Sequence, residues 1–238
     1  MKYKRLNFEQ YFIDTSKDFM NTGKARYKIV YNHVEYKGAL LKHSAEWEMH
    51  YEKERQVIQI NFEQTNGVLD WIENFKFPAK YYDSFEFEGA PIQLKVCKGW
   101  AEMYCAMKHD IRDKFAELIK AHPKAYVEIV GWSLGSALAQ LCAQDLFYNF
   151  GKQSHLFTYG SVRPFYVSEE IRDNYLQKCC IEAYNFNHKS DIVGYQPGIT
   201  GYHHINLVDL GKFSPIGIFN PRKYHTMYYE PSLYEGIS

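Results

Sequence analysis

The chain has 238 residues, 46% hydrophobic, 17% aromatic and 24% charged, with 28 Lys and Arg balanced by 28 Asp and Glu. That length suits a single α/β domain with a full-sized core, and a formal net charge of zero leaves no field to draw the chain onto nucleic-acid phosphates, so no nucleic-acid partner is expected. The five cysteines, Cys97, Cys105, Cys142, Cys179 and Cys180, are odd in number and lack C-x-x-C spacing, which argues for reduced thiols and against a disulfide framework or a zinc site.

Lys2, Lys4, Arg5, Glu9, Asp14, Lys17 and Asp18 interrupt the first twenty residues, so no signal-peptide core can be placed there. No apolar run approaches the ~18 residues of a membrane span. The expectation is a cytoplasmic protein without a transmembrane segment. No linker or repeat divides the chain, which predicts one domain over 1–238.

In chain order, residues 8 to 50 read as mainly helical, with room for a short strand at Tyr27 to Tyr31. Val57 to Phe62 alternates apolar and polar residues and predicts a strand, with a weaker one at Ile92 to Val96. Trp100, Met103, Tyr104, Met107, Ile111, Phe115, Leu118 and Ile119 then recur at helical spacing until His122-Pro123 ends the pattern. Ala125 to Val130 predicts a buried strand, and Leu134, Ala137, Leu138, Leu141, Cys142 and Leu146 predict a helix running to Gly151. Strands at His155 to Tyr159 and Ile181 to Phe186 follow, separated by a helix over Ser168 to Leu176. Strand and helix in alternation predict a mostly parallel sheet with helices on both faces.

Gly131-Trp132-Ser133-Leu134-Gly135 stands where the buried strand meets the next helix, the setting of a G-x-S-x-G nucleophile elbow. The sharp turn strains the serine backbone and leaves no room for side chains two positions either side. A glycine-flanked turn whose serine only caps the helix is the plainer alternative. A nucleophilic serine needs an imidazole base oriented by a carboxylate, in the chain order Ser, acid, His. Of the later aspartates, Asp145 and Asp173 fall in helices and Asp209 in a strand-like stretch, whereas Asp191 follows a strand at the end where the elbow lies. Asp191 is therefore the best acid. His203, His204 and His225 all remain open as its partner.

From Val57 to Tyr229 the chain resembles the class 3 lipases, fungal-type triacylglycerol lipases and their relatives in the α/β-hydrolase fold. Ile58 to Phe77 (IQINFEQTNGVLDWIENFKF) is similar to a strand ending F-R-G-T followed by D-W-I, and Val96 to Tyr104 (VCKGWAEMY) to V-H-x-G-F. Val130 to Leu141 (VGWSLGSALAQL) resembles T-G-H-S-L-G-G-A-L-A-x-L, Thr158 to Pro164 (TYGSVRP) resembles T-F-G-x-P-R, and Ser190 to Pro197 (SDIVGYQP) resembles N-D-I-V-P-x-x-P. Gly201 to His204 (GYHH) resembles G-x-x-H, and Tyr224 to Tyr228 (YHTMY) resembles D-H-x-x-Y.

The resemblance implies Ser133 as nucleophile, Asp191 as orienting acid and His225, not His204, as general base. It also implies Thr65 and the Leu134 backbone N–H as oxyanion donors. It departs at Glu63-Gln64, where the family has Arg-Gly, at Trp132, where it has histidine, and at Gly194, where proline is common. Val68, Leu69, Trp71, Ile72 and Phe75 make an apolar face where several members carry a lid, equally readable as a core helix. The implied activity is hydrolysis of lipid or other acyl esters through an acyl-enzyme, with no metal or organic cofactor and transient contact with a lipid interface. The rival reading is a lipase-like fold kept as a binding or structural protein without turnover.

Overall fold

The computed structural model describes residues 30–37, 42–62, 80–81, 94–198, 200–216, 221–229 and 233. Strands β1 (Val30–Lys37), β2 (Lys42–Glu52) and β3 (Val57–Phe62) form an antiparallel meander, with Val30 opposite Met49 and Trp47 opposite Phe62. This overturns the helix expected over 8 to 50 wherever those residues are described. The reason lies in β2, where Ala45, Trp47, Met49 and Tyr51 alternate with Ser44, Glu46, Glu48 and His50 at period two, so only a strand brings the buried Trp47 and Met49 to one face. Residues 8–29 lie outside the described part.

Short strands β4 (Lys80–Tyr81) and β5 (Lys95–Val96) precede helix α1 (Lys98–Ala121), strand β6 (Tyr126–Trp132) and helix α2 (Leu134–Phe150). Then come β7 (Ser154–Tyr159), β8 (Phe165–Tyr166), α3 (Glu169–Asn174) and a 3-10 turn at Leu176–Cys179, all before β9 (Cys180–His188). A 3-10 turn at Ile192–Tyr195, β10 (Tyr202–His203), β11 (Leu207–Leu210), α4 (Pro221–Thr226) and a 3-10 turn at Met227–Tyr229 close the described chain. The main sheet runs β1-β2-β3-β6-β7-β9-β11, and its strands from β3 onward are parallel. A small antiparallel sheet runs β10-β8-β5-β4.

One face of the main sheet, with Ile58, Ile60, Val127, Ile129 and Leu156, packs on α1 and α2 through Trp100, Tyr104, Phe115, Leu138 and Leu141. The helix expected from the spacing of Trp100 to Ile119 is α1, and its Trp100, Met103, Tyr104, Met107, Ile111 and Phe115 are buried. The opposite face carries a second cluster of Val130, Trp132, Phe157, Tyr159, Phe186, Leu210 and Tyr228. The turns after β6 and β9 leave the carboxyl edge of the parallel strands, where open α/β sheets place their ligands. No described helix is long and apolar enough to cross a membrane.

Candidate active site

Ser133 joins β6 to α2 with φ +57 and ψ −122, a conformation that costs a non-glycine residue about 1–3 kcal/mol and persists only where its surroundings enforce it. Its N–H donates to Tyr159 O at 2.9 Å, while its carbonyl accepts the Ser136 N–H at 3.0 Å and the Ser136 hydroxyl. A Cβ on Gly131 would strike the Gly135 carbonyl and come 2.8 Å from Ala139 Cβ, so strand and helix meet here only because the first elbow glycine has no side chain. Leu134 is the first residue of α2, and its N–H belongs to the turn that a helix leaves without internal partners.

Asp191 and His225 come together from 34 residues apart in sequence: His225 Nδ1 lies 2.8 Å from Asp191 Oδ2. Asp191 Oδ1 accepts the Val193 N–H at 3.0 Å, which caps the following 3-10 turn, and Oδ2 also accepts the Tyr228 hydroxyl at 2.7 Å. The Tyr228 oxygen in turn accepts the His188 N–H at 2.9 Å. His225 lies against Gly160, where a Cβ would sit 2.7 Å from His225 Cε1 and 3.1 Å from the Tyr228 ring, and φ of +54 also favours glycine. Its other neighbour is Trp132, stacked at 5.7 Å between ring centroids and 21° between planes. Ser133, Asp191 and His225 are all buried. Among the described residues, Ser133 Oγ and His225 Nε2 have no hydrogen-bond partner, so the hydroxyl and the free imidazole nitrogen are both uncommitted.

The other candidates occupy structural places. Asp145 accepts Tyr104 OH at 2.9 Å and Arg112 at 3.0 and 2.5 Å, joining α1 to α2. Asp173 pairs with Arg172, and Asp209 lies 4.0 Å from Lys189 on an exposed edge. His203 faces Arg172 at 3.5 Å. His204 is buried, with Nε2 3.3 Å from both Gly194 O and Asn187 Nδ2, and burial pushes it down to about 3, so it stays neutral. Thr65, Glu63-Gln64 and the apolar stretch from Val68 to Phe75 lie outside the described residues.

Behind the elbow runs a buried polar lattice that the sequence reading missed. Ser136 Oγ accepts the Val162 N–H at 3.1 Å, Gln140 Nε2 donates to Ser161 Oγ at 3.0 Å, and Gln140 Oε1 accepts the Ile205 N–H at 3.1 Å. Asn187 bridges the Ser161 backbone and, at 3.4 Å, Gly194 O in the turn after Asp191. These bonds tie the serine turn to the aspartate turn. Their only sequence signal is polar residues inside apolar runs, visible at Gln140 but ambiguous elsewhere.

Residues 59–201 match the family described as Lipase (class 3). A lipase of Rhizomucor miehei is 28% identical over 146 residues, 60% of this chain but 38% of that protein, so the match spans well under half the relative's length. Among solved structures, the Rhizomucor miehei triacylglyceride lipase is similar with a TM-score of 0.65 at 20% identity, covering 85% of this chain and 79% of that one. A lipase of Yarrowia lipolytica is similar with a TM-score of 0.76 at 16% identity, over 94% and 92%. At these identities the structures speak for the fold, which is the α/β-hydrolase fold. The chain belongs to the class 3 lipase family.

Proposed function

We propose that the chain hydrolyses carboxylic esters of lipid or other acyl substrates with Ser133, His225 and Asp191 as its triad. The observation that carries this reading is the His225 to Asp191 bond of 2.8 Å, with Trp132, the residue before the strained elbow serine, stacked on the same His225 ring. Ser133 Oγ attacks the ester carbonyl carbon as its proton passes to His225 Nε2, while Asp191 holds the Nδ1 proton and offsets the imidazolium charge. The tetrahedral oxyanion takes the Leu134 N–H and the Thr65 hydroxyl as donors. Collapse expels the alcohol with the proton from His225, leaving the acyl group on Ser133. Water deprotonated by His225 then attacks the acyl carbon, and the bond to Ser133 Oγ breaks as Oγ takes that proton back from His225, releasing the acid.

Triacylglycerol against simpler esters is a matter of the acyl groove, and a short-chain ester is the first substrate to try. His225→Ala and Asp191→Asn are expected to lower kcat by several orders of magnitude, because triad members act as a unit, whereas His204→Ala, His203→Ala and Asp209→Asn keep most of it. A dead His204→Ala enzyme with an active His225→Ala enzyme overturns the assignment. The reading without turnover draws on Glu63-Gln64, which stand where the family has Arg-Gly beside the proposed donor Thr65. Absence of ester turnover in the parent protein, with the fold intact, favours it.

A further inference from the structure

We infer that Trp132 is a positioning residue for the base: its indole face holds the His225 ring and favours the imidazolium that forms when Ser133 gives up its proton. The inference rests on the hydrolase reading above and goes beyond the triad. The elbow carries tryptophan where the family pattern has histidine, so this is a feature of this chain's own residues.

Trp132 ends β6 on the sheet face away from α1 and α2, alongside Tyr159 on β7, its register partner. It is 6% exposed and lies nearly parallel to His225, with centroids 5.7 Å apart. An aromatic face within about 6 Å of a cation attracts it through the ring quadrupole, most strongly for tryptophan and most strongly away from water. A neutral imidazole gains only the stacking contact, so the indole stabilises the charged state more than the resting one.

The same geometry fixes the ring's orientation. Trp132 lies against one face of the imidazole, Gly160 crowds the Cε1 and Nδ1 edge, and Tyr228 stands edge-on at 6.4 Å and 85°. Tyr159 supports Tyr228 at 6.4 Å. With Nδ1 committed to Asp191, these contacts leave Nε2 as the free corner of the ring.

Among the described residues, the titratable groups around His225 include Asp191 from the loop after β9 and Tyr228 from its own turn. Tyr159 on β7 lies behind Tyr228, and His188, at the end of β9, turns its ring to Tyr224 at 5.2 Å. All of these side chains are kept in the variants at 132, so a shift between variants reports the indole.

The test compares the parent with Trp132→Leu and Trp132→Phe, and with fluorinated tryptophans placed at 132 alone, which keep the shape of the indole while weakening its negative face. Two readouts are taken, the acid limb of kcat/KM on a soluble ester and the NMR titration of the His225 ring. Trp132→Leu is expected to lower kcat about 10-fold with KM nearly unchanged and to move both midpoints down by about half a pH unit, with Trp132→Phe in between. Added fluorines should move the midpoints down stepwise. Midpoints that stay fixed across the fluorinated series overturn the inference, even if Trp132→Leu fails to fold. If the parent turns over no ester, the hydrolase reading fails by itself, and the NMR titration still decides the role of the indole.

Discussion

Tyr228 concentrates more of the site's geometry than any residue except Asp191. Its position three after His225, on the turn that follows α4, brings both side chains to the same carboxylate oxygen. The hydroxyl also receives the His188 N–H, so its loss strands a buried donor and leaves the acid held by fewer groups. Tyr228→Phe is expected to cost about 1–3 kcal/mol of stability, the penalty for an unsatisfied buried polar group. It should also lower kcat about 10-fold as the Asp191 carboxylate loosens. Urea unfolding and ester kinetics on the same preparation check both, and an unchanged kcat would assign Tyr228 to packing alone. Gly160 answers for its own place in the same way, since the rings of His225 and Tyr228 fill the space of any side chain there.

At the scale of elements, β2 carries the largest difference between sequence and structure. Its period-two alternation is present in the residues, yet Glu46, Glu48 and His50 blur it, because polar residues between apolar ones read as a solvated helix stripe even where, as at Glu48, the strand buries them. Glu48 is 2% exposed, accepts Asn61 Nδ2 at 2.5 Å from β3, and is raised to about 7 by desolvation, which that bond only partly offsets. A folded carboxyl above its ordinary value binds its proton more tightly than the unfolded chain does. Its effect on stability therefore worsens as pH rises from about 4.5 to 7 and is constant above that. Glu48→Gln should stabilise the fold by up to about 3 kcal/mol at pH 8 and by little at pH 4.5, measured by urea unfolding at both. Equal gains at the two pH values would contradict the account. His50 and His204 act in the opposite direction. Burial lowers them to about 4 and about 3, so the unfolded chain takes up protons first below pH 6.5 and stability falls on acidification.

For the whole molecule, the parallel half of the sheet was legible because each strand there is a short apolar run and each helix a stripe at helical spacing: β6 and α2 fall where Ala125 to Val130 and Leu134 to Leu146 placed them. The serine turn was legible because glycines at 131 and 135 answer a steric demand that the Gly131 environment makes explicit. The pairing of Asp191 with His225 was not readable from spacing, since three histidines met the chain-order condition and only resemblance to a family separated them. The Ser136, Gln140 and Asn187 lattice was hidden for another reason: a buried hydrogen bond leaves no periodic trace, and its members look like ordinary polar residues until the turns they join are side by side.

Reaction with a fluorophosphonate decides whether Ser133 is an activated nucleophile. Only a serine whose proton is accepted by a positioned base attacks phosphorus at a useful rate, so the probe reads nucleophile, base and access together, without a choice of ester. Peptide mapping of the labelled protein is expected to place one adduct on Ser133, absent in Ser133→Ala and strongly slowed in His225→Ala. An unlabelled parent protein, or an adduct on another residue that persists in Ser133→Ala, would contradict it.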